Sequence, residues 1–328
     1  MLRITVFVSA IVCVGAILIF SGSSSKGGDN TQKSVNLSIK NDLQPYGIDV
    51  IGSDDPKFDS GLINSIEIND DTKQPVRAAK PLALLIKNAS DLEIVGVSLR
   101  WSFIRTDGQI DVYPQIRSDV GALVGPKPAP RMIGKTGVIQ PRTMRLFSFF
   151  DVQSTVTTVS TVADSPGSGS PTRGTEMSTR IQRGKDDLLK RTSSVELSID
   201  GIFFSDGSFV GKDANYYFDE MRGYVRAKKD FLKFLETAQS SGKDESSTLS
   251  EFVDNTPSIP VQIPTSRSGQ RYSNQNDAFS TSYAETMNGI RNEIIFMRKV
   301  NRSDNMIMRG YLLPTDEDFK ILHKLPAE

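Results

Sequence analysis

Nine consecutive residues in the middle of the chain alternate without a break. Val95, Val97, Leu99, Trp101 and Phe103 fall on one side, and Gly96, Ser98, Arg100 and Ser102 fall on the other. Only an extended strand turns successive side chains to opposite faces, so this pattern predicts a strand with one face in a core. Such a strand needs partners, and the same period of two recurs nearby. It is present at Val35-Leu37-Ile39 and Leu82-Leu84-Ile86, and shorter strands are expected over Met144–Phe150 and Val195–Phe204. Turn residues punctuate these runs: Asn88-Ala89-Ser90-Asp91, Asp107-Gly108 closing the Trp101 strand into a hairpin, Asp200-Gly201 and Asp206-Gly207. No helix-length pattern separates the strands, which argues against a parallel sheet. The expectation for residues 35–212 is therefore an antiparallel β-sandwich of immunoglobulin-like or fibronectin-like character.

The period changes after Asp213. From Asn215 to Gln239, Tyr217, Met221, Tyr224, Phe231 and Leu235 recur at three-to-four spacing, with Asp219 and Glu220 early and Lys228, Lys229 and Lys233 late. That spacing and charge order predict an amphipathic helix. A second helix, roughly Tyr283 to Val300, places Met287, Ile290, Ile294 and Met297 on one side. A short third helix is expected from Asp316, with Phe319 and Leu322 inward. The fold class is thus mainly β, α+β overall, with C-terminal helices over 213–328 packed on the sandwich. The helical stripes read first as packing faces, and second as a surface that could hold partner proteins of a bacterial envelope.

Two stretches carry no apolar periodicity. Thr161 to Arg183 is rich in Ser, Thr, Gly and Pro, and predicts a disordered insertion in the sandwich; Thr256 to Asn276 predicts a polar loop. They account for a hydrophobic content of 38%, somewhat low for a globular chain.

At the N-terminus, Ile4 to Phe20 contains no charge and two hydroxyls, Thr5 and Ser9. As a helix this run would rise ~25 Å, between the apolar core of a cleaved signal peptide and the length of a spanning anchor. The long core and the absence of an Ala-x-Ala site favour an uncleaved single-pass anchor over residues 1–22, with residues 23–34 as a Gly/Ser linker. Lipoprotein processing at Cys13 is disfavoured because Val12 precedes it and the apolar run continues beyond. The expected location is a cell membrane contacted through Ile4–Phe20, with the rest extracytoplasmic, or secreted if the N-terminus is cleaved.

Residue types exclude much chemistry. Cys13 is the single cysteine and His323 the single histidine, so the body beyond the apolar run offers no thiol nucleophile, no thiolate site and no internal disulfide. Lys plus Arg equals Asp plus Glu at 39 each, and no basic footprint for nucleic acid results. Ala129-Pro130-Arg131-Met132-Ile133-Gly134-Lys135-Thr136 fits a relaxed nucleotide-loop pattern, but prolines precede it and a broken strand follows it where a helix is required. Ser23-Ser24-Ser25-Lys26, Lys135-Thr136-Gly137 and Ser303-Asp304-Asn305 are fragments of the penicillin-recognising serine signatures, in the wrong order and with the serine in a linker. Asp54-Asp55, Asp70-Asp71, Asp200, Asp206 and Asp213 read as turn and cap residues. Trp101 reads as core, and His323 as a surface residue near a helix end. No catalytic, cofactor-binding or metal-binding residue emerges.

The run from Val195 through Asp200-Gly201 and Asp206-Gly207 to Gly211 resembles one in uncharacterised predicted-exported, membrane-anchored bacterial proteins, where a strand, a turn and a second strand also precede a helix. The resemblance covers the middle and C-terminal thirds. It implies compartment and architecture and no activity. The expected function is a membrane-tethered interaction or structural module. A polysaccharide hydrolase acting through paired carboxylates would require a deep cleft, and a ligand-binding module a concave apolar pocket between sandwich and helices.

Overall fold

The computed structural model describes residues 35–64, 82–119, 123–124, 139–149, 187–258, 271–312 and 319–326. The expected anchor, the linker, the nucleotide-like loop, Asp70-Asp71 and the insertion lie outside these residues. None of the described helices is long and apolar enough to cross a membrane.

Two sheets are present. The smaller joins β2 (Ile48–Gly52), β3 (Ala83–Asn88) and β6 (Met144–Ser148), with β3 central and both pairings antiparallel. The larger has β5 (Ile110–Ser118), β4 (Ile94–Arg105), β7 (Thr192–Phe204), β8 (Ser208–Val210) and β9 (His323–Lys324) in that order. β1 (Asn36–Lys40) also lies against β7, through residues 194–198 of that long strand, while β8 takes residues 202 and 203. The β4–β5 hairpin closes at Asp107-Gly108 as expected, with Gly108 at φ 83°. Pro114 is accommodated because β5 is an edge strand.

The expectation of a wholly antiparallel arrangement is corrected here. β1 runs parallel to β7, and β9 runs parallel to β8. Each parallel partner arrives from far along the chain, so no tight turn dictates its direction. The larger sheet is therefore mixed, and the fold is α+β.

From Val97 onward the alternating residues behave as their period requires; Val95, expected on the same face, lies at a register shift between Ile94 and Gly96 and joins a different cluster, with Phe203, Phe209 and Tyr217. Val97, Leu99, Trp101 and Phe103 share one buried cluster with Val195, Leu197 and Ile199 of β7 and with Ile48, Leu84, Ile86 and Phe147 of the smaller sheet. Trp101 also ties the sheets by polar contacts: its indole Nε1 donates to Gln115 Oε1 at 2.9 Å, and Gln115 Nε2 donates to Ser148 O at 3.1 Å.

The helices are α1 (Lys57–Asn64), α2 (Tyr217–Ser240), α3 (Glu245–Asn255), α4 (Gln275–Lys299) and α5 (Asp304–Leu312). Phe231, Leu235, Leu249, Phe252, Ile290, Ile294, Ile307 and Met308 form a separate helical core. The stripes read from the sequence thus face mainly other helices. The start of α2 alone reaches the larger sheet, where Tyr217, Phe218 and Met221 pack on Val95, Phe203 and Phe209. Two helical expectations change. α4 begins at Gln275, eight residues before Tyr283, because Asn274 caps it by accepting from Asp277 N at 2.9 Å. No helix carries Phe319 to Pro326; this segment is extended and contributes β9, although Phe319 is buried as expected. His323 is exposed on that strand and not near a helix end.

Candidate functional site

Of the acidic residues singled out in the sequence, Asp55, Asp200, Asp206 and Asp213 accept backbone hydrogen bonds at turns, a helix start and a bulge. Asp200-Gly201 is not a turn. Ser98 pairs with Gly201 and Leu99 with Ile199, so Asp200 is the extra residue of a bulge inside β7. The bulge aims its carboxylate at the segment entering α2. Oδ1 accepts from Ala214 N at 2.7 Å, and Oδ2 accepts from Asn215 N at 2.9 Å and from Ser98 Oγ at 3.3 Å. Asp213 accepts from Phe218 N at 3.0 Å, and the Lys324 ammonium lies 2.8 Å from its other oxygen, close enough for an ion pair though not aligned as a hydrogen bond. Burial pushes the Asp213 carboxyl up against that cation. Asp206 holds the β7–β8 turn through Ser208 N at 2.9 Å, and Asp55 accepts from Lys57 N ahead of α1. Ser303-Asp304-Asn305 belongs to the α4–α5 connection, with Asp304 clasped by Arg298.

A second charge cluster, with only Glu220 largely buried, lies beside the first half of α4. Arg271 donates to Glu220 Oε1 at 2.8 Å and to Glu285 Oε2 at 2.6 Å. Burial raises the Glu220 carboxyl, and the guanidinium opposes that rise. Among the described residues no three His, Cys, Asp or Glu side chains come together as a metal set.

The concave surface lies elsewhere, between α2, α4 and the extended C-terminal segment. It is an open groove of about 690 Å³. Helical spacing creates its basic wall: Arg222, Arg226 and Lys229 are four and three residues apart on α2 and so share a face. Lys320 lies on the C-terminal wall. Val225, Phe279, Tyr283, Ile321 and Leu322 provide apolar surface. Among the described lining residues the one carboxylate, Asp230, is already engaged. It accepts from Arg226 Nε at 2.9 Å and from the Tyr283 hydroxyl at 3.2 Å.

These partners fix the arginines in place and leave N–H groups of each outside the ion pair. The Arg222 guanidinium donates to Asp219 Oδ1 at 2.9 Å and sits 5.8 Å and 5.7 Å from the ring centres of Phe218 and Phe279. Flanked by rings, it presents its remaining N–H groups in a fixed plane. Arg226 is about two-thirds exposed with its terminal nitrogens outside the Asp230 contact. Lys229 lies 5.4 Å over Phe319. Among the described residues Arg222 and Arg226 are each paired with a carboxylate while Lys229 and Lys320 are not, so this stretch favours anions, and the apolar floor adds affinity for a ligand that carries hydrocarbon as well as charge.

The α2 cationic stripe was present in the sequence at 222, 226 and 229, on a helix correctly expected there. The apolar stripe on the same helix dominates its pattern. Lys320 and Leu322 could not have been placed, because the segment that carries them was expected to be helical. No protein-family model matches the chain, and neither a curated protein nor a solved structure does.

Proposed function

We propose that this chain is a membrane-tethered, extracytoplasmic interaction module that grips an acidic, partly apolar segment of a partner protein in the Arg222–Arg226–Lys229 groove. The observation that carries the reading is the groove itself: a cationic wall held in place by Asp219, Asp230 and aromatic rings, above an apolar floor and open along its length. An amphipathic peptide laid in such a groove places apolar side chains on Phe279, Tyr283 and Leu322 and carboxylates toward the arginines. The tether rests on the charge-free run Ile4–Phe20. In this reading the two sheets are a divergent, immunoglobulin-like or fibronectin-like sandwich that serves as scaffold for the helical layer.

Paired-carboxylate hydrolysis gains no support from the groove, because Asp230 is the one acid among its described lining residues and is bound by Arg226 and Tyr283. A small anionic ligand is the second reading, favoured by a volume within the usual range for small-molecule sites.

Two measurements test the proposal. The full-length tagged chain should stay with membranes through an alkaline wash; recovery wholly in the cytosol at full mass overturns the tether. In vivo photocrosslinking from Ser280 should capture a protein partner, and Arg222→Glu with Arg226→Glu should weaken capture at least tenfold, a loss of about 1.4 kcal/mol or more. Unchanged capture in the double variant overturns the groove. If only a small anion is recovered bound to purified protein, with no crosslinked polypeptide, the second reading replaces the first.

A further inference from the structure

The second surface feature outside the groove is the connection between α4 and α5. Six large hydrophobic side chains are exposed among the described residues, and three of them, Phe296, Val300 and Met306, bracket this one turn at 62%, 52% and 55% exposure. Phe296 on α4 and Val300, the residue that ends it, are four apart and lie on one side of the helix end. They point away from the buried side of that helix, where Ile290 and Ile294 meet the helical core.

Cations are interleaved with them. Lys299 and Arg302 are exposed and enter no ion pair among the described residues. Arg309, three residues beyond Met306 on α5, is exposed too, and the Glu245 carboxyl near it is held low chiefly by its own backbone N–H and by Asn305. The nearby acids are committed: Asp304 accepts from Arg298 Nε at 2.8 Å and Nη2 at 3.0 Å, and Glu245 accepts from Asn305 Nδ2 at 2.9 Å. The tip is firmly built. Asn301 adopts φ 59°, and the amides of Val300, Asn301 and Arg302 all donate back to α4 carbonyls. Arg298 also donates to Ser246 O and Ser250 Oγ, which pins the connection to α3.

We infer that this tip is a contact site for an anionic lipid surface. Apolar side chains that stand out from a fixed helix end gain by entering the interfacial layer of a bilayer, and unpaired Lys299 and Arg302 gain from lipid headgroups at that same depth. A folded protein partner would have to supply both an apolar pocket and acidic groups around it, whereas an anionic bilayer offers both without a shaped site. The inference does not depend on the groove or on the N-terminal run.

The test uses the full-length chain in which Cys13→Ser leaves one introduced thiol for an environment-sensitive dye. One variant carries Val300→Cys. The control carries Ile110→Cys, an equally exposed apolar position on the β5 edge beside Asp111. With vesicles holding about 30% anionic lipid, the dye at position 300 should shift to shorter wavelength and be quenched roughly twofold by a lipid-borne quencher. The dye at 110 should not respond, and adding Lys299→Glu with Arg302→Glu should abolish the response at 300. Equal behaviour at 300 and 110 overturns the inference. So does equal quenching on wholly zwitterionic vesicles, and so does a blue shift without vesicles that reports self-association. Retention through an alkaline wash reads the N-terminal tether and the dye at 300 reads the tip, so the two proposals fail separately.

Discussion

Asp200 shows how much one side chain organises here. It is 2% exposed, and its two oxygens take two successive backbone N–H groups and a serine hydroxyl just before α2 begins. The segment it holds is strained: Asp213 and Tyr216, neither a glycine, sit at φ 59° and 58°. Replacing Asp200 by Ala strands those donors, and the expected cost is roughly 3 kcal/mol, read as a lowered urea midpoint with an unchanged slope. The neighbouring Asp213 sets a pH dependence. Its folded carboxyl is raised by burial, so the native state holds its proton to higher pH than the unfolded chain does. That contribution to stability is full below the ordinary carboxylate range and is lost as pH rises through the raised value. Urea midpoints should therefore fall over that window. Asp213→Asn, which tolerates positive φ, should flatten the fall; an unchanged slope against pH removes Asp213 as its source. None of this was readable beforehand. Asp-Gly is a turn signal by propensity, and only the register of β4 against β7 shows a bulge whose carboxylate faces inward.

At the scale of elements, the close approach of α2 to α4 depends on Gly223. A Cβ there would meet the backbone carbonyl of Phe279 and the Ser282 side chain, and backbone cannot step aside. Gly223→Ala should cost about 1–3 kcal/mol and disturb the groove wall as well, seen as loss of partner capture along with a lower melting temperature. A variant with full stability would show that the helices can part without penalty. The elements themselves were legible to different degrees. β4, β7 and α2 stand out because their apolar residues recur with one period over part of each element. The first half of β4 departs from it: Gly96 and Ser98 are buried because Tyr217 and Asn215 cover what an isolated strand would leave to water. α3 was missed since its Ser/Thr-rich turns bury little beyond Thr248, Leu249 and Phe252. The start of α4 was read as loop for a related reason: polar residues that cap a helix have the composition of a turn. β9 is two residues long and defined wholly by its neighbour β8, which no local pattern can announce.

Across the whole molecule, two cores are joined by one aromatic seam. The sheets share the cluster around Trp101, the helices share the cluster around Phe231, and Phe203, Phe209, Tyr217 and Phe218 lie between them with ring centres 4.7 to 6.4 Å apart. Trp101 is the only tryptophan and fully buried, so its fluorescence reports the sheets, while far-ultraviolet circular dichroism reports chiefly the helices. The two signals should change together in urea if the seam couples the cores. Phe209→Ala, expected to cost about 3–5 kcal/mol, should pull the two transitions apart. Coincident curves in that variant would mean that another contact couples them. The parallel lie of β1 against β7 has a mechanical consequence. Tension drawn along β1 from residue 35 would load the paired rungs from Asn36–Ser194 to Lys40–Ser198 side by side, in shear, where a hairpin pulled at its open end would unzip rung by rung. Under the proposed tether and grip, a domain hung from its first strand would resist being torn open by the pull of what it holds.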